Sequence, residues 1–156
     1  MDAVICGDLE QKLMRLDAMA NDYQEQGQIE EVIELRIQQL SLSKVMVNIH
    51  RKSNFMLVTS HSQLGEAYLN MKWFDQALDH LTQALKLNAN LLNEVEETKD
   101  YHTHLLTMLG RCYLEAGNFR DSEALLDKAL TLAEQISGQA SLQTGPILQL
   151  LSKLYI

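Results

Sequence analysis

The residues that do chemistry in other proteins are scattered along this chain. His102 and His104 stand two apart, which on a helix sends them to different sides, whereas a metal-binding pair needs i and i+4. His50, His61 and His80 read as isolated. The seven glycines form no G-x-G-x-x-G and no phosphate loop. No nucleophile stands with a base in a recognisable pattern. Glu94, Glu96 and Glu97 cluster, and a run of this kind reads as a solvated connection. Met14, Met19, Met46, Met56, Met71 and Met108 suit either an adaptable binding stripe or core packing, with core the preferred reading. These observations predict no enzyme, no cofactor and no metal.

Stepping from single residues to the elements that carry them reveals a repeat. Leu64-Gly65 is followed by Tyr68, Trp73-Phe74, Ala77, Leu81, Ala84-Leu85 and Leu87. Leu109-Gly110 is followed by Tyr113, Asn118-Phe119, Ser122, Leu126, Ala129-Leu130 and Leu132. Every landmark has moved by 45 residues, and fixed self-similarity of this length marks a repeat array. Going back by the same step reaches Met19-Ala20 and Tyr23, then Gly27, Ile29 and Val32. Leu151-Ser152 and Tyr155 repeat the start once more, 42 residues after Gly110.

The order along the chain is therefore a series of helical hairpins. Asp8 is suited to cap a first helix over about 9–25, which Gly27 breaks. A second helix is predicted from about Gln28 to His50. It belongs to the most divergent unit, since Arg36 and Gln39 stand where later copies have leucine and alanine. Terminal repeats are often atypical. Later hairpins turn near Lys72 and at Gly117-Asn118; polar or loop-like connections fall at Arg51–Asn54, Asn88–Asp100 and Ser137–Thr144. Pro146 fits the first turn of a last helix. The domain is expected to span 1–156, with units near 8–50, 52–92, 96–137 and a partial one at 145–156. The apolar end Leu154-Tyr155-Ile156 suggests a piece of a longer array.

Composition agrees with an all-α chain: 46% apolar residues and one proline in 156 residues. The net charge is −8, and it is uneven. Residues 1–34 carry nine acids against Lys12 and Arg15, while the remainder is almost balanced. An acidic end disfavours nucleic acid, which needs a basic stripe. It reads as a solvated terminal face or as a docking surface for a basic partner. Cys6 and Cys112 make no disulfide framework, so a reducing compartment such as the cytoplasm is expected. The start carries Asp2 and Asp8 without a basic flank, unlike a secretory signal. No stretch approaches 18 apolar residues, so no membrane insertion is expected.

The repeated residues resemble the tetratricopeptide repeat family. Its first helix has a leucine and a small residue followed three on by tyrosine; its second carries small, large and small residues in turn. Leu64, Gly65, Tyr68, Ala77, Leu81 and Ala84 fit without exception, and Leu109, Gly110, Tyr113, Ser122, Leu126 and Ala129 nearly so. The usual unit has about 34 residues; the longer period here is similar to that of the kinesin-light-chain-like branch. The resemblance implies antiparallel hairpins stacked as a right-handed α-solenoid. It implies a scaffold or adaptor that binds another protein or a peptide segment on a concave face. Such arrays serve trafficking, cytoskeletal or ciliary complexes, among others. The positions carried over to that face, three before and one after each small residue, are Asp17, Asn21, Ser62, Glu66, Thr107, Arg111, Gln149 and Lys153. They predict a groove acidic at one end and basic at the other, able to orient an extended ligand. The carboxylate clamp of the chaperone-binding type is not reproduced, because Asp17, Ser62 and Thr107 occupy that surface. Nor is the asparagine that some members place two before the small residue, where Ala18, Gln63, Met108 and Leu150 stand. The alternative is an assembly piece that pairs through apolar array ends with itself or with further repeats.

Overall fold

The computed structural model describes residues 2–50, 54–92, 97–137 and 144–155. Seven helices and no strand occur among them: α1 (Asp2–Glu25), α2 (Ile29–His50), α3 (Phe55–Asn70), α4 (Phe74–Ala89), α5 (Glu97–Glu115), α6 (Phe119–Ser137) and α7 (Thr144–Leu154). α1 starts earlier than the sequence suggests, so Asp8 lies inside the helix and does not cap it. α5 also begins before Tyr101. Residues 51–53, 93–96 and 138–143, the centres of the three connections, lie outside the described residues, as does Ile156. No described helix is long and apolar enough to cross a membrane.

Each hairpin turn is the same piece of backbone chemistry. Gly27, Lys72 and Gly117, spaced by the repeat, adopt φ of 76°, 65° and 88°. The amides after them, of Gln28, Trp73 and Asn118, each donate to the carbonyl of the repeat tyrosine, Tyr23, Tyr68 or Tyr113, at 2.8–2.9 Å. Gly27, Lys72 and Gly117 themselves donate to Gln24, Leu69 and Leu114. This pair of bonds is the Schellman motif, which satisfies carbonyls that a helix end leaves orphaned and requires a left-handed residue. Glycine meets that requirement twice. Lys72 meets it at the cost of a crowded Cβ.

Beyond the turn, the small first-helix residue sets how closely the hairpin closes. A Cβ placed on Gly65 would lie 2.7 Å from Leu81 Cγ, and one on Gly110 would lie 2.6 Å from Leu126 Cδ2. Both leucines are wholly buried. Ser122 stands where the preceding copy has Ala77 and is also buried; its hydroxyl is satisfied by donating to Gly110 O at 2.7 Å.

Among the described residues the core divides into three clusters. Ala20, Val32, Ile33 and Leu64 join the first and second hairpins. Val58, Leu69, Leu81, Leu105, Leu109 and Cys112 join the second and third. Leu106, Leu126, Ala129, Ile147 and Leu151 seat α7. Tyr68 touches both of the first two clusters, as expected for the residue that fills the junction between hairpins, although it is half-buried. Each helix packs on the next, and first helices also meet across hairpins, α3 on α5 and α5 on α7. A stack held only by neighbour contacts is what a solenoid requires.

Candidate protein-binding face

The first helices α1, α3, α5 and α7 carry the residues expected to bind, and side chains from adjacent helices hold several of them in place. The most developed group lies at the first junction. Arg36 sits on α2 where the second and third hairpins have Leu81 and Leu126, and it is 4% exposed. Its guanidinium donates to Asp17 Oδ1 at 2.6 Å, Asn21 Oδ1 at 3.1 Å, Gln39 Oε1 at 2.7 Å and Gln63 Oε1 at 3.3 Å. One side chain thus bridges α1, α2 and α3. Asp17 remains 44% exposed and Asn21 is exposed, so the cluster opens at the surface while its cation is buried.

The cluster corrects two expectations. Arg36 and Gln39, which mark the most divergent unit, are not a loss of the packed position; both are buried and bonded. Asp17 is also already matched by a cation, so the acidic end of the surface carries less free charge than residue counting implies. The clue was legible: Arg36 and Gln39 depart together, three apart, on a face where the other copies are apolar.

At the next junction Tyr101 of α5 is the central group. Phe55 meets it edge-on with centroids 5.3 Å apart, and His104 tilts against it at 5.5 Å. Burial raises the Tyr101 phenol above its ordinary range, with the Ser62 hydrogen bond acting against that shift and Glu66 adding to it. Ser62 is therefore a buried inter-hairpin contact at 2% exposure, not the exposed position predicted for it. Glu66 is half-buried beside it. Thr107 donates its hydroxyl to Thr103 O at 2.8 Å within α5.

Arg111 continues the line one turn further. It donates to Asn70 Oδ1 at 3.3 Å and lies 3.7 Å from Glu115, which also takes Lys72 at 3.1 Å. Gln149 and Lys153 are exposed on α7, and no contact joins them to the clusters above. Among the described residues the eight expected positions thus divide. Asp17 and Asn21 share one cluster, Ser62 and Glu66 a second, Arg111 a third, while Thr107, Gln149 and Lys153 stand apart.

A further group went unseen in the sequence. His61 and His80 face each other with Nδ1 atoms 3.1 Å apart and stacked rings. His80 also stacks on Tyr68, and Tyr68 on Trp73. His61 lies seven residues before Tyr68 and His80 seven after Trp73, two turns down each helix from the hairpin bend. Burial first, then His80 and Lys44, lower the His61 pKa to about 4; burial and Lys44 lower His80 as well, against Asp79. Among the described residues no cluster of three His, Cys, Asp or Glu groups has the arrangement of a metal site. The pair is a neutral hydrogen-bonded stack at a hairpin interface.

Comparison with known proteins agrees with this architecture. Residues 72–143 match the tetratricopeptide repeat family model. The structure of BtubC (BKLC) from P. vanneervenii is similar, with TM-score 0.62 and 17% identity over 94% of this chain. This chain spans 65% of that one's length. A putative kinesin light chain with nearly identical TPR-like repeats from Podosopora anserina aligns at TM-score 0.44 and 16% identity, over 92% of this chain and 85% of that one. No curated protein sequence matches. Residues 72–143 thus match the tetratricopeptide repeat family, and the described residues are all-α, with hairpins stacked as in an α-solenoid.

Proposed function

We propose that the chain is a non-enzymatic interaction module that binds a segment of a partner protein along the concave face formed by α1, α3, α5 and α7. The observation that carries this reading is the buried Arg36 cluster. A leucine at that place packs the other two hairpins. Burying a guanidinium there costs several kcal/mol of desolvation before pairing returns part of it, and buried ion pairs are often no better than apolar replacements. The gain lies at the surface, where Asp17, Asn21 and Gln63 are held in fixed geometry by one cation. Preorganised polar groups lose less freedom when a ligand arrives.

A partner segment rich in basic and amide groups meets Asp17, Asn21 and Glu66, and acidic groups on it meet Arg111 and Lys153. The module works in the cytoplasm, within trafficking, cytoskeletal or ciliary assemblies, takes no nucleic acid and inserts into no membrane. Photo-crosslinking amino acids placed at Asn21, Glu66 and Arg111, and at Glu31 on α2 and Asp75 on α4 as exposed controls, test the face in cell extract. Crosslinks to one common protein from the first three positions and none from the controls support it. Equal labelling from the controls refutes it.

A second reading has its own observation. Met14, Met19, Ile37 and Val45 are exposed on the first hairpin, and Leu148 and Tyr155 on α7. A hollow of about 590 Å³ opens beside Leu16, Met19, Ile37 and Leu42. Copies joined through these surfaces form an assembly piece. Analytical ultracentrifugation at rising concentration distinguishes it, because a strict monomer rules that reading out.

A further inference from the structure

Away from the first-helix face, α4, α5 and α6 enclose a groove of about 880 Å³. Its apolar wall is made by Leu85, Leu92, Leu106, Leu132 and Ile136. Among the described residues its charged lining is one-signed: Lys86 from α4, Lys99 from α5 and Lys128 from α6, with no carboxylate. In a chain of net charge −8 with 21 acids against 13 bases, three lysines from three helices around one apolar floor are a local reversal of sign. Among the described residues none of the three lysines forms an ion pair.

His102 completes the lining. Asn88 Nδ2 donates to Thr98 O at 2.8 Å, which fixes the amide, and also faces His102 Nδ1 at 3.3 Å. A donor there makes Nδ1 the acceptor and leaves the imidazole proton on Nε2. Burial and Lys128 hold this imidazole below its ordinary pKa, so it offers a neutral N–H and not a fourth charge.

We propose that this groove is a second interaction surface, and that its occupant is an acidic amphipathic helix of a partner protein. Such a helix lays leucine-type side chains at i, i+3, i+4 and i+7 on the apolar floor and sets carboxylates against the lysines on the rim. Three cations carried on separate helices need several anions at spaced positions. A fatty acid brings only one. Charge complementarity of this kind governs encounter and orientation more than total affinity, so binding weakens as salt screens it.

The test uses the whole chain and a synthetic fluorescent helix with leucines at i, i+3, i+4 and i+7 and glutamates on its other face. A twin peptide with lysines for glutamates, and dodecanoate, are the comparison probes. Fluorescence anisotropy should show saturable binding of the acidic helix that falls at least tenfold with Lys86→Glu/Lys128→Glu and falls with added salt. It should be unchanged by Lys44→Glu, an exposed position on α2 away from the groove. Amide NMR shifts should concentrate on Leu85, Leu106 and Leu132. No binding, binding that ignores the lysine reversal, shifts centred on α1 and α3, or preference for the basic twin overturns the proposal. So does dodecanoate displacing the helix stoichiometrically, which assigns the groove to a lipid chain. Loss of thermal stability in Lys86→Gln/Lys128→Gln without peptide binding also overturns it, since the lysines then serve the chain's own fold.

Discussion

Replacing Gly65 by alanine separates the two forces that act on a glycine inside a helix. Helix propensity favours alanine by about 1 kcal/mol. The hairpin opposes it, because the new Cβ falls 2.7 Å from Leu81 Cγ and 3.0 Å from its Cδ2. Leu81 is wholly buried and has nowhere to swing. Overpacking of this sort costs about 1–3 kcal/mol, so the net effect is a destabilisation of up to about 2 kcal/mol. At about 2–4 °C per kcal/mol for a chain of this size, the melting temperature falls by up to about 8 °C. Gly7→Ala in α1 meets nothing within 4 Å and should gain stability by up to about 1 kcal/mol. Urea denaturation gives both numbers. A double-mutant cycle with Leu81→Ala completes the assay, since Gly65→Ala should become stabilising once the leucine is gone. If Gly65→Ala stabilises the native background as Gly7→Ala does, the close-approach account of the repeat is wrong.

Other outcomes follow from the same structure. Lys72→Gly removes the left-handed lysine at φ 65° and should stabilise by about 1 kcal/mol in thermal melts, less whatever the exposed Lys72–Glu115 pair contributes. The His61–His80 pair is neutral in the native chain, with His61 titrating near 4, whereas unfolded histidine titrates near 6.5. Stability from it is therefore complete above pH 6.5 and drains as pH falls towards 4, by about 1–3 kcal/mol after allowance for solvent screening. His61→Gln/His80→Gln should flatten that part of the urea-midpoint profile, and an unchanged slope refutes the assignment. Burial, with Glu115 adding to it, raises the Cys112 thiol to about 11; in a Cys6→Ser background, iodoacetamide should label it only on unfolding.

Much of the fold was legible because three copies could be laid over one another: a landmark that recurs at Leu64 and Leu109 reports packing that one copy leaves ambiguous. The left-handed turn was legible at Gly27 and Gly117 but not at Lys72, where only the shared backbone geometry reveals it. Helix starts were less visible. α1 runs through Asp8, which reads as a cap, since a helix supported by tertiary contacts overrides local preference. The surface groups were least legible because they join residues from different hairpins. Arg36 looked like decay until Asp17, Asn21 and Gln63 were seen around it, and Ser62 looked exposed until Tyr101 was seen to cover it. His61 and His80 are 19 residues apart, and only closure of the hairpin pairs them.

Arg36→Met/Gln39→Met tests most directly whether Arg36 serves the proposed binding face at the expense of packing. Methionine matches the length of Gln39 and reproduces the aliphatic stem of Arg36, while it discards both polar heads. Stability by urea denaturation should be unchanged or higher by about 1–4 kcal/mol, as for other buried ionic groups replaced by apolar ones. Affinity for the partner crosslinked through Asn21, Glu66 and Arg111 should fall at least tenfold. A stable variant that binds that partner as tightly as the native chain would contradict the account.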